Sequence, residues 1–95
     1  MTLELERFLR KASRILRNHY RKVTLQAVRV RINGDEFYDV FIANEYGNMI
    51  YMDCLDGEEL NLLVRALNML CNVQHRSDLL DGFYIVFNDC IEEGK

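Results

Sequence analysis

Cys71 and His75 stand four residues apart in a stretch of helical periodicity. At that spacing a thiol and an imidazole could share one helix face and act as nucleophile and base. Cys71 also falls on the apolar arc formed by Leu60, Val64 and Leu67. His75 stands where that helix should be ending. We therefore expect an inert core thiol, because buried cysteine usually behaves as a small hydrophobe. The acids Asp53, Asp56, Glu58 and Glu59 are dense enough to suggest a divalent cation, but they do not follow the calcium-loop pattern. Capping and the helix dipole account for Asp56, Glu58 and Glu59. The segments NGDE and NEYGN read as hairpin turns, since neither is a Gly-rich loop leading from a strand into a helix. His19 lies on the apolar side of its helix and reads as a partly buried, hydrogen-bonded imidazole. No residue is assigned a catalytic role, and none a cofactor or a metal; the expectation is a protein that is not an enzyme.

The three cysteines, Cys54, Cys71 and Cys90, are odd in number and widely spaced, with no C-x-x-C. We expect reduced, mostly buried thiols in a cytoplasmic protein. No window approaches the roughly 18 consecutive apolar residues of a membrane span. The N-terminus, MTLELERFLRK, interleaves charge with apolar residues, unlike a secretory leader.

Charge is the strongest signal. The formal net charge is −3, yet residues 7–22, RFLRKASRILRNHYRK, carry seven Arg or Lys and no acid. Residues 1–31 hold nine bases against two acids; residues 32–95 hold three bases against thirteen acids. Such asymmetry speaks about partners more than the net value does.

The elements that carry this charge can be placed from periodicity. Between residues 3 and 20, Leu5, Phe8, Leu9, Ala12, Ile15, Leu16, His19 and Tyr20 share one side of a helix. Arg7, Arg10, Lys11, Arg14, Arg17 and Arg21 share the other. Thr2 is placed to cap it, with Glu4 and Glu6 in the first turn. VTLQAVRVRI (23–32), EFYDVFIAN and NMIYMD then read as strands joined by turns at 33–35 and at EYG. Gly47 suits the left-handed position of a three-residue loop. A second helix starts at Asp56, with Glu59 completing a capping box, and its apolar arc runs from Leu60 to Val73. FYIVF (83–87) is a last short strand, and 89–95 an acidic tail expected to fray. The fold class is α+β: a single domain over 1–95, in the order α-β-β-β-α-β, an antiparallel meander packed by two helices. The first five elements share their order with the double-stranded-RNA-binding domain. Gly57-Glu58-Glu59 stand where that family needs basic residues, so the chain is not assigned to it.

With three-residue loops at both turns, Val30 faces Tyr38, Val28 faces Val40 and Ile42 faces Ile50. One sheet face then holds Val28, Val30, Ile32, Tyr38, Val40, Ile42, Ile50 and Met52, and a bulge near Ala27 and Val28 keeps it continuous. The other face holds Arg29, Arg31, Phe37, Asp39, Phe41, Met49 and Tyr51. That is too much apolar surface to leave wet.

These features lead to the expectation of a small non-enzymatic interaction protein, a regulator or inhibitor that binds a protein partner. Its partner surface is the basic ridge Arg7, Arg10, Lys11, Arg14, Arg17 and Arg21. A homodimer is expected through Arg29, Arg31, Phe37, Phe41, Met49 and Tyr51. The alternative is nucleic-acid binding by the arginine face of the first helix. A further alternative is nucleic-acid mimicry by the acidic remainder. A membrane partner is not expected.

Overall fold

The computed structural model describes residues 3–19, 21–44 and 46–90, and the backbone alone of residues 18, 19, 50 and 51. The chain runs α1 (Leu3–His19), β1 (Val23–Ile32), β2 (Asp35–Asn44), β3 (Met49–Leu55), α2 (Gly57–Leu70), β4 (Asn72–Leu79) and β5 (Gly82–Asn88). The five strands form one antiparallel sheet in the order β3-β2-β1-β5-β4. This is the expected single α+β domain with one strand more than the sequence suggested.

The extra strand is β4. The apolar arc of α2 was expected to reach Val73, but the helix stops at Leu70. Cys71 is already extended, at φ −138° and ψ 164°, with its N–H donating to the Leu67 carbonyl. The next eight residues, NVQHRSDL, pair along β5 as an exposed edge strand. At its start α2 carries the expected capping box. The Glu59 N–H donates to Asp56 Oδ1 over 2.8 Å, and the Asp56 N–H donates to Glu59 Oε1 over 3.2 Å.

The first hairpin departs from the expected register. Asn33 and Gly34 both take left-handed backbone, φ 52° and 84°, and Ile32 pairs directly with Asp35. This is a two-residue Asn-Gly turn of the kind that matches strand twist, not a three-residue loop. Val30 therefore faces Phe37 and Val28 faces Asp39, and Val40 faces Ala27. The one-residue difference exchanges the two faces assigned to β1. The helix side holds Val23, Leu25, Ala27, Arg29 and Arg31; the far side holds Val28, Val30 and Ile32. β1 needs no bulge near Ala27, because its core-facing parity simply continues past the edge of the helices as Arg29 and Arg31. The irregularities lie instead in β3, between its pairings to Val40 and Phe41, and in β4, between Val73 and His75. The second hairpin follows expectation. Gly47 sits at φ 82°, and the Asn44 N–H donates to the Asn48 carbonyl across the loop.

One core lies between the helix layer and one sheet face. Phe8, Ala12 and Leu16 of α1 and Leu60, Leu63 and Leu67 of α2 close over Leu25, Val40, Ile42, Ile85 and Phe87. The molecule measures 43 × 31 × 19 Å. Its short dimension suits one sheet under one helix layer, since packed layers lie about 10 Å apart.

Cys71 and Cys90 form a disulfide. This overturns the expectation of three reduced thiols, for a topological reason. The pairing of Asn72 with Asn88 brings the two flanking cysteines together at the end of the β4–β5 hairpin. Cys54 is the free cysteine. The Cys90 N–H also donates to the Arg21 carbonyl, so the chain stays tied to the body to that point. Expectations for Thr2, Tyr20 and residues 91–95, and for the side chain of His19, fall outside the described residues. No helix among the described residues is long and apolar enough to cross a membrane.

Candidate functional site

The basic ridge is on the outer side of α1. Leu5, Phe8, Ala12 and Leu16 turn inward at helical spacing, which forces Arg7, Arg10, Arg14 and Arg17 outward. All four are exposed, and Lys11 is half-buried at the edge of the layer. Arg21 and Lys22 continue the positive surface into the turn that follows.

The ridge borders a shallow groove of about 370 Å³, lined by Arg7, Phe8, Arg10, Lys11, Arg14, Asp53, Leu55 and Glu59. Lys11 and Arg7 have acidic partners in it. Lys11 Nζ is 2.7 Å from Asp53 Oδ2, and Arg7 Nη2 is 3.8 Å from Glu59 Oε2. Both cations also lie over the Phe8 ring, at 5.0 Å for Arg7 and 5.8 Å for Lys11. The Lys11 hydrogen bond holds the Asp53 carboxyl below its ordinary value of 3.8; partial burial works against this, and the Cys54 N–H adds to it. No local pattern signals that Asp53 and Glu59 lie at the foot of this ridge. From the sequence, Asp53 reads as the end of the strand NMIYMD and as part of the acidic cluster, and Glu59 as half of a capping box. The fold sets Lys11 and Asp53, 42 residues apart, in contact.

The face once assigned to the dimer is divided by the true register. Arg29 and Arg31 stand on the helix side of the sheet, beyond the helices. Arg29 Nε lies 3.3 Å from Glu36 Oε1, and the Tyr38 hydroxyl donates to the same oxygen over 3.0 Å. The Arg29 guanidinium is stabilised as a cation by its hydrogen bond to Tyr38 and then by Glu36. Phe37, Phe41 and Met49 lie on the opposite face, joined by Val28, Val30 and Ile32 in place of the two arginines. Tyr51 pairs with Phe41 in the ladder, and its side chain lies outside the described residues. β5 and β4 extend this face with Tyr84, Val86 and Leu79. Both helices cover the other side of the sheet, so no described element covers this one. Ile32, Met49 and Leu79 are 47%, 54% and 45% exposed, and Val28, Val30, Phe37, Phe41, Tyr84 and Val86 are half-buried by their neighbours in the sheet. Half-buried Cys54 also lies here. Desolvation, then the nearby Asp39 and Asp53 charges, push its thiol above the ordinary value.

The remaining candidates separate. Cys71 is buried and bonded to Cys90, while His75 sits on β4, its Nε2 2.9 Å from Ser77 Oγ. No thiol–imidazole pair exists between them. Asp56 and Glu59 serve the cap, and Asp53 answers Lys11, so the acidic cluster does not converge on a point. No group of His, Cys, Asp or Glu among the described residues is arranged to hold a metal ion.

Comparison with protein-family models, with curated protein sequences and with solved structures gave no match. The functional reading therefore rests on the surfaces themselves.

Proposed function

We propose that this chain is a small non-enzymatic interaction protein that captures an acidic segment of a protein partner along α1. Its role is that of a regulator or inhibitor, exerted by occupying the partner. The observation that supports this most is the groove beside α1. Arg10 and Arg14 line it, and Arg17 stands exposed further along α1, at i, i+4 and i+7; Arg7 and Lys11 reach Glu59 and Asp53. Arginine offers forked donors that match carboxylate geometry. An acidic body behind a basic helix orients such a partner as it approaches. The acids lining the groove disfavour a continuous phosphate backbone there, which ranks nucleic acid second. Nothing in this reading needs a catalytic residue or a cofactor. The cytoplasmic location expected from the sequence belongs to the proposal, and trapping thiols in host cells tests it. Reduced Cys71 and Cys90 fit a reducing compartment, and an intact disulfide fits an oxidising one.

The test compares the wild-type protein with the triple variant Arg10→Glu, Arg14→Glu, Arg17→Glu in pull-downs from host lysate, with and without nuclease. A protein retained after nuclease by the wild type and lost by the variant is the expected result. Capture abolished by nuclease moves the assignment to nucleic acid. Equal capture by both proteins removes the ridge from the function.

A further inference from the structure

The open face of the sheet has its own geometry, which the ladders define residue by residue. On β1, Gln26 pairs with Phe41 of β2 on one side and with Tyr84 of β5 on the other. Val28 likewise sits between Asp39 and Gly82, and Thr24 between Ala43 and Val86. β1 is the middle strand of five, with β2 and β3 on one side and β5 and β4 on the other. We propose that this face joins two copies of the chain in a symmetric dimer whose two-fold axis runs along β1.

Three observations select a second copy as the occupant. The first is the match of the face to itself. A two-fold along β1 lays β2 of one chain over β5 of its partner. Phe41 then meets the partner's Tyr84, and the symmetry makes two such aromatic contacts. Asp39 meets the position of Gly82, where no side chain stands. Gln26 meets its own mate on the axis, and an amide carries both donor and acceptor, so the pair can satisfy itself. The two Asp39 carboxylates fall on opposite sides of the axis and in different layers. Two strand spacings of about 4.8 Å separate them across the axis, so they are about 10 Å or more from each other, beyond the screening length of about 8 Å at physiological salt.

The second observation is area. Five strands about 4.8 Å apart, with successive rows of the face about 6.8 Å apart and the β1–β2 hairpin projecting further, give about 600 Å² of flat surface. Accessible area exceeds its projection, so the face approaches the roughly 800 Å² that each partner buries in a standard interface. Aligned sheets cross at about 30°, which sets the axis about 15° from the direction of β1 and keeps the contacts nearest it in register. The third observation is charge. Arg29 and Arg31 are on the helix side, which leaves Asp35 and Asp39 as the charged residues of the open face among the described strand residues, with His75 at its margin. A face with that balance does not suit nucleic acid or an anionic lipid surface. It suits an apolar, nearly uncharged partner such as itself.

The ridge of α1 lies on the other layer, so this dimer stands or falls independently of the function proposed above. The test is sedimentation velocity on the full chain from micromolar concentration upward. The wild type should sediment as twice 11.3 kDa. Arg65→Glu, on the outer side of α2, should do the same. Gln26→Arg and Val28→Lys each place two like charges across the axis and should weaken the dimer by about a hundredfold or more. Their circular dichroism should match that of the wild type. Cys54 gives a second readout that needs no variant, because its alkylation should slow as wild-type concentration rises. A wild type that stays monomeric, a dimer untouched by both axial variants, or alkylation independent of concentration each overturns the proposal.

Discussion

Along α1, Arg7 is held by Glu59 and Lys11 by Asp53, and the side chains of Arg10, Arg14 and Arg17 are exposed. On the far side of the sheet, Val28, Phe37, Phe41 and Val86 are flanked by their neighbours in the ladder, and no described element covers them. The same helix layer explains both faces. Two helices suffice to bury one side of a five-stranded sheet, and α1 then exposes whatever its own outer side carries. Charge at the surface tolerates that position, since exposed ion pairs contribute only about 0–1 kcal/mol and cost little to hydrate. Apolar area does not, and a contiguous patch of this kind is what the proposed dimer would bury. The two proposals therefore ask different things of the two faces, electrostatic guidance of the first and stable burial of the second.

The largest effect that sharpens this contrast uses neighbours on β5. Ile85 faces the helices and is 2% exposed, while Val86 faces the open side. Ile85→Ala should cost about 2–5 kcal/mol, the range for a buried truncation that leaves a cavity. Val86→Ala should cost less in dilute protein, because its side chain is only partly buried in one chain and truncation there leaves no closed cavity. Urea unfolding of both variants reads the difference. Equal losses would show that the open face is already covered within the monomer. A Val86→Ala loss that grows with protein concentration would instead report burial against a second copy.

Next in size is the disulfide. It closes a loop of 19 residues around the β4–β5 hairpin, and the entropy of a loop near that length is worth about 3 kcal/mol. Reduction, or Cys90→Ser, should lower the stability of the folded chain by that order without altering α1. Pulse proteolysis with mass detection should find first cuts in β4. Unchanged stability would mean that the strand pairing holds this end of the sheet unaided.

These contrasts also separate what the sequence carried from what it did not. The ridge was legible because α1 alternates its chemistry at helical period over almost five turns, and the capping box at Asp56 and Glu59 was legible as a local signature. The faces of β1 were not. Both parities there carry apolar residues, Leu25 and Ala27 on one and Val28 and Val30 on the other, so periodicity alone cannot orient the strand. The Asn33-Gly34 pair carries the answer, but the register it demands sets Asp39 beside the valines, which is tolerable only on a face outside the core. β4 was hidden because an exposed edge strand has no buried side to impose alternation, and NVQHRSDL begins inside the apolar arc that runs from Leu60 to Val73. Three cysteines allow three pairings, and only the β4–β5 ladder brings Cys71 and Cys90 together. The groove depends on the contact of Lys11 with Asp53, which no local pattern announces.

That ion pair supplies the smallest effect and tests how firmly the charged face is tied to the core. Lys11→Met keeps the apolar stem and removes the ammonium, leaving Asp53 without the donor that lowers its pKa. The folded-state value of Asp53 lies below the 3.8 of a free carboxyl. Its contribution is therefore fully present above that value and is lost as pH falls through the lower folded-state one. Both side chains are about a third or more exposed, 33% and 42%, so solvent screens the pair and the loss near neutral pH should be at most about 1 kcal/mol. The variant's deficit should shrink in acid, because protonating Asp53 removes the same attraction from the wild type, and it should shrink also in high salt. Chemical denaturation at several pH values reads this directly. A deficit that stayed constant below pH 3.8 would mean that Lys11 stabilises through its contact with the Phe8 ring rather than through Asp53.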